Sequence, residues 1–138
     1  MNRILIDTMH LGRLLKDKSY FELAGAISDG DIEAISSVIS LTELTKKLGM
    51  IDDKRMRAAI QELLSSRLIF VNVTRSIAIR AGDLRLKYDI PTVDSVIAAT
   101  GIVENTRHVF TDDTRHFKTV KNLIKIINLE TAIEMSKQ

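Results

Sequence analysis

Apolar positions along the chain follow two rhythms. Short uninterrupted runs mark strands buried on both faces, and apolar residues returning every three to four positions mark helices with one packed side. The first run, Arg3-Ile4-Leu5-Ile6-Asp7-Thr8, stops abruptly on a carboxylate. It predicts a strand with Asp7 at its carboxyl end. Helical intervals through Leu11, Leu14 and Leu15, and again over residues 20–27, predict two short helices or one bent one, with Asp17 and Ser19 at the break. Asp29-Gly30-Asp31 reads as a turn.

A second strand is expected over residues 35–41, ending near Ser40. A short helix over residues 40–49 follows, with Ser40 and Glu43 at capping-box spacing and Gly49 as its stop. Asp52 and Asp53 suit the start of another helix, with Met56, Ile60, Leu63 and Leu64 on its apolar face. Residues 68–73 read as a third strand; Thr74 or Ser76 starts a helix whose Ile77, Ala81, Leu84 and Tyr88 share a side. Pro91 suits a first helical turn, and a nearly all-apolar helix continues to about Val103. Residues 107–111 form a fourth strand. A helical turn through His116 and Phe117 leads to a fifth strand over residues 124–129, and a helix closes the chain after Glu130. Strands alternating with helices imply right-handed crossovers. The expected fold is α/β: a three-layer α/β/α sandwich with a mostly parallel central sheet of about five strands, one domain over residues 1–138.

Composition narrows this picture. With 138 residues and 45% hydrophobic content the chain supports one sizeable core. Cysteine is absent, which removes disulfides, thiol nucleophiles and thiolate zinc sites and fits a reducing cytosol. Asp7 interrupts the first apolar run and Asp94 the stretch over residues 90–103, so neither completes a membrane span. No export or membrane anchoring is expected, and the cytoplasm is the expected location. A net charge of +2 is too mild to identify a nucleic-acid binder by itself, so any basic surface must be local.

Four acids, Asp7, Glu43, Asp94 and Asp113, each fall just after a strand or in the first turn of the helix that leaves one. Singly, each also reads as a helix cap or as a first-turn acid favoured by the helix dipole. Together they would converge, because helix amino termini in a parallel sheet open toward one edge. Carboxylates brought together raise one another's pKa or demand a cation, and Mg²⁺ favours such oxygen donors. A metal held there can activate water for displacement at phosphorus.

The pieces Ile4-Leu5-Ile6-Asp7-Thr8, Ser40-Leu41-Thr42-Glu43-Leu44, Val93-Asp94-Ser95-Val96-Ile97-Ala98-Ala99-Thr100 and Val109-Phe110-Thr111-Asp112-Asp113, with His116-Phe117 after it, resemble the PIN-domain family. Within it they are similar to the small toxin-type (VapC-like) ribonucleases of toxin–antitoxin pairs. The resemblance implies a metal-dependent endoribonuclease in which Asp7, Glu43, Asp94 and Asp113 hold Mg²⁺ or Mn²⁺ and Thr8 and Thr111 orient a metal-bound water or a carboxylate. It also implies an RNA substrate, a protein antitoxin and a homodimer, for which the apolar face between Met56 and Leu64 is a candidate. Asp112 competes with Asp113 for the last ligand position, and Asp113 completes Thr-x-Asp. Met9 and His10 stand where the family's first motif usually has a small polar residue.

RNA approaching an acidic pocket needs cations nearby, and Arg13, Lys46, Lys47 and Arg115 are the nearest in sequence. Each also reads as ordinary solvated charge. The three histidines, His10, His108 and His116, read as structural; Met50, Met56 and Met135 read as core or interface filler. The competing functions are a housekeeping RNA-processing nuclease and a non-catalytic RNA- or protein-binding module of the same fold. A phosphoacceptor receiver domain fits poorly, since Asp7 stands without a second acid after the first strand.

Overall fold

Ile4, Leu5 and Ile6 are wholly enclosed, and the sheet extends to both sides of them. In the computed structural model, which describes residues 2–138, this strand, β1 (Arg3–Ile6), pairs in parallel with β2 (Glu33–Ser37) and β4 (His108–Phe110). The outer strands are β3 (Ile69–Val71) beside β2 and β5 (Lys125–Ile127) beside β4, both parallel. The order is β3-β2-β1-β4-β5. The expected mostly parallel sheet is therefore parallel throughout.

Alternation along the strands assigns the two cores. Ile4, Ile6, Ala34, Phe110 and Ile127 point to one face, under α1 (Thr8–Lys16), α2 (Phe21–Asp29), α4 (Asp53–Ser65) and α8 (Leu129–Ser136). Leu5, Ile35 and Val109 point to the other, against α5 (Arg75–Lys87) and α6 (Thr92–Val103). Between β2 and α4 lies α3 (Val38–Gly49), with Leu44 in the first core and Ile39 against the second. A short helix α7 (Thr114–Phe117) follows β4. Thus, among the described residues, eight α-helices flank five parallel strands in three layers.

Several local expectations need correction. The second strand ends at Ser37, and Ser37, not Ser40, caps α3 by accepting from the Ile39 N–H. Ser40 lies buried inside the helix, so the capping-box reading of Glu43 fails. Met56 and Leu63 are buried, but Leu64 is 52% exposed, so the proposed apolar face of α4 is mostly core. Pro91 is the residue before α6, not a first-turn residue. Of the methionines read as filler, Met56 and Met135 are buried, whereas Met50 stands exposed.

The chain leaves β1 toward β2 and β3 on one side and reaches β4 and β5 on the other. The strand order reverses between β1 and β4, and in open α/β sheets a crevice opens at such a point beyond the carboxyl ends.

Candidate active site

Asp7 and the Thr111–Asp113 turn leave the two strands that flank this crevice. The Asp7 N–H donates to the Phe110 carbonyl at 3.0 Å, which ties the strand ends together. Asp7 caps α1 by accepting from the Thr8 N–H at 2.8 Å, as its helix-cap reading anticipated. Its other oxygen accepts from the buried Thr111 hydroxyl at 2.7 Å. That hydroxyl also accepts from the Asp113 N–H at 2.9 Å. One threonine therefore sets the spacing of two acids.

Asp94 arrives in the first turn of α6 and Asp113 at the amino end of α7. Their carboxylates converge on a histidine that the sequence alone marks only as structural: His116 Nδ1 lies 3.1 Å from Asp94 Oδ2 and 2.9 Å from Asp113 Oδ2. One ligand atom from each of Asp94, Asp113 and His116 lies within 4.8 Å of the others. The available signal was His116 three residues after Asp113, on the same side of a helical turn.

Glu43 reaches the site indirectly. Thr8 Oγ1 lies 2.6 Å from Glu43 Oε1 and 2.9 Å from Ser40 Oγ. A hydroxyl has one proton, so Thr8 donates to the carboxylate and Ser40 donates to Thr8. Ser40 is thus a support for Glu43. Glu43 and Asp113 both add negative field at Asp7.

Electrostatics reflect this crowding. Burial raises the pKa of Asp7 above the ordinary range; the hydrogen bonds from Thr111 and Thr8 oppose the rise, and Glu43 and Asp113 add to it. Burial, followed by the hydrogen bond and negative charge of Asp113, lifts Asp94 to about 7. For Asp113 burial also pushes upward, but the hydrogen bonds from the His116 ring and N–H and from Asp94 outweigh it, and the net shift is down. The hydrogen bond to Asp113 raises His116. The pocket therefore retains protons that a cation can displace.

Asp112 points elsewhere, which separates it from its neighbour. Its Oδ2 accepts from Arg13 at 3.0 Å, and its Oδ1 lies 3.3 Å from His10 Nε2. That His10 contact is an ion-pair distance without hydrogen-bond alignment, since His10 Nε2 has no hydrogen-bond partner. The His10 ring is buried, stacked on Phe110 at 3.7 Å, with Nδ1 2.8 Å from the Tyr20 hydroxyl. Burial lowers its pKa, and the nearby Asp112 only partly offsets this. His10 is structural, as expected. Of the candidate cations, Arg13 is engaged with Asp112 and Tyr20, while Lys46 and Lys47 in the last turn of α3 and Arg115 in α7 are exposed.

The donor set fits a hard divalent ion, because every converging acid supplies oxygen and the raised pKa of Asp94 and Asp7 marks negative charge in need of a cation. Asp94 and Asp113 would hold it with Asp7, and Glu43 stands behind Thr8.

Comparison with known proteins bears on the fold and the family. Solved structures of similar fold include the DNA-bound VapBC from Salmonella typhimurium, at TM-score 0.76 and 20% identity over 94% of this chain and 99% of that one. VapBC2 from Rickettsia felis, bound to a DNA fragment from their promoter, matches at TM-score 0.75 and 22% identity over 91% and 98%. VapC20 from Mycobacterium tuberculosis, described as a sarcin–ricin loop cleaving toxin, matches at TM-score 0.65 and 17% identity over 83% and 93%. No curated protein sequence matches closely enough to count as a relative. The PIN domain family model matches residues 4–123, so nearly the whole chain, including all four acids, belongs to the PIN-domain family.

Proposed function

We propose that this chain is a metal-dependent endoribonuclease and the toxin of a toxin–antitoxin pair. The observation that carries the reading is the convergence of Asp7, Asp94 and Asp113 at the switch between β1 and β4, with His116 as the only basic side chain within ion-pair reach of Asp94 and Asp113 among the described residues. Mg²⁺ or Mn²⁺ held by Asp7, Asp94 and Asp113, with Glu43, supplies charge neutralisation at a phosphodiester and a lowered pKa for water. Thr111 keeps the Asp7 carboxylate turned toward Asp113, and Thr8 keeps Glu43 turned toward Asp7. His116 Nδ1 lies between the Asp94 and Asp113 carboxylates, whose negative charge favours a proton on its ring.

The VapBC complexes among the structural neighbours support a protein antitoxin as partner. The surface assigned to it is an apolar groove of about 310 Å³ whose lining includes Gly12, Leu15, Leu48, Ile51 and Ala59. A homodimer and a cytoplasmic location belong to the same proposal; no described helix is long and apolar enough to cross a membrane.

The test is cleavage of a panel of structured and single-stranded RNAs by purified protein with Mg²⁺, Mn²⁺ or EDTA, beside Asp7→Asn and Asp94→Asn. Metal-dependent cutting that falls at least 100-fold in both variants is expected, since each removes charge from the pocket. No cutting with any metal, from folded protein free of antitoxin, would replace the nuclease with a non-catalytic binding module.

A further inference from the structure

Resting on the nuclease reading, we propose that Arg115, Lys118, Lys121 and Lys125, with Arg107, form a track that binds the phosphate backbone of single-stranded RNA and leads it into the acidic pocket. Positive charge is concentrated in this segment. Over residues 114–129 there are four basic side chains and no acidic one, although the whole chain has 20 basic and 18 acidic residues. The rest of the chain is therefore net negative, and its positive charge is concentrated here.

Packing turns these cations outward together. Phe117, Val120 and Ile124 are buried, and at this spacing they pin one side of the segment to the core. Arg115, Lys118, Lys121 and Lys125 recur every three to four residues on the remaining side, and all are exposed. Residues three apart eclipse in a 3-10 turn, which is the geometry over Lys118–Val120. None of the five takes part in an ion pair among the described residues, whereas Arg13 is paired with Asp112.

Topology supplies the direction. The segment connects the carboxyl end of β4 to the amino end of edge strand β5, so it must descend the full depth of the sheet. Arg115 stands next to His116, two residues from Asp113. At the lower end the Lys125 N–H donates to the Arg107 carbonyl at 2.7 Å, and Arg107, Lys121 and Lys125 share a cavity of about 370 Å³. The positive field there is felt by His108, whose pKa is lowered by burial and then by Lys125 and Arg107. A flexible polyanion is the complement of a row of unpaired cations ending at a pocket for phosphodiesters.

The test reads binding, so that it stands apart from cleavage. Anisotropy of a fluorescein-labelled, mixed-sequence single-stranded RNA is titrated with the Asp94→Asn protein between 50 and 200 mM NaCl. Each single-strand phosphate contact contributes about 0.7 to the slope of log K against log salt, so K118Q/K121Q/K125Q should flatten it by about 2. Affinity at 50 mM should fall at least tenfold, and the corresponding triple arginine variant should restore it. A control of equal charge, K18Q/K54Q/R75Q, should leave the slope in place. Equal losses in both triples, an unchanged slope in the track triple, or tighter binding of duplex DNA of the same length through these residues would each overturn the proposal. RNA cutting by the wild-type protein is scored separately: absent cutting with a track-dependent slope removes only the nuclease reading, and cutting without that slope removes only the track.

Discussion

Thr111 is the residue on which the site's geometry turns. Its single hydroxyl donates to Asp7 and accepts from the Asp113 N–H, in a position only 3% exposed. Thr111→Val keeps the shape and leaves a buried carboxylate and a buried N–H each short of a partner, at a cost of about 1 to 3 kcal/mol. Urea unfolding should show this loss, while Thr111→Ser, which keeps the hydroxyl, should lose less than half as much. Equal losses in the two variants would mean that the methyl group, not the hydroxyl, matters. The acids themselves were legible in the sequence because strand ends and helix starts can be located from hydrophobic period. The choice between Asp112 and Asp113 rests on the backbone turn after Phe110, which sends Asp112 to Arg13 and Asp113 into the crevice. The role of His116 was hidden for a similar reason: its partner Asp94 lies 22 positions earlier in the chain, and only the packing of α6 beside α7 brings them together.

At the scale of elements, α6 carries Asp94 and must lie close against the sheet to deliver it. A Cβ at Gly101 would stand 2.7 Å from Ile124 Cδ1, 3.0 Å from Leu5 Cδ2 and 3.3 Å from the Thr106 carbonyl oxygen. Leu5 and Ile124 are themselves buried, so neither has room to retreat. Gly101→Ala gains about 1 kcal/mol of helix propensity but incurs about 1 to 3 kcal/mol of overpacking, and a net loss is expected. Gly82 in α5 has open space around it, so Gly82→Ala should stabilise by about 0.5 to 1 kcal/mol. Denaturant midpoints moving in opposite directions would bear this out; two stabilised variants would show that α6 can back away from the sheet. Element identities followed the hydrophobic period well, and all five strands and the long helices were anticipated. The start of α3 was missed because Ser36, Ser37 and Ser40 are equally good local caps. Tertiary contacts choose among them: Ser36 donates to the Ile6 carbonyl, Ser37 caps, and Ser40 supports Thr8.

For the whole molecule, the strand reversal gathers acids from three distant parts of the chain, and folding must bear their mutual repulsion. The metal-free protein does so by holding protons. Asp94, raised to about 7 from 3.8, is more protonated folded than unfolded between these values, so stability falls as pH rises through the upper one. His116, also raised, contributes stability below its ordinary 6.5 that is lost as pH rises through its higher folded value, with the same sign. His10 and His108 are lowered and act oppositely, but only below 6.5, where the unfolded chain takes up their protons. Asp113, lowered, acts only below its ordinary 3.8. Between pH 6.5 and 8 the site's contribution is thus a loss, of about 1 kcal/mol from Asp94, or about 3 °C in Tm. Asp94→Asn should flatten this slope. Under the proposed function Mg²⁺ or Mn²⁺ would take the proton's place, so the same added concentration should raise Tm more at pH 8 than at pH 6.5. Thermal melts of metal-free and metal-loaded protein across that range decide the matter. A Tm that climbs with pH without metal would contradict the proton-held pocket, and equal metal stabilisation at both pH values would place the ion away from these carboxylates.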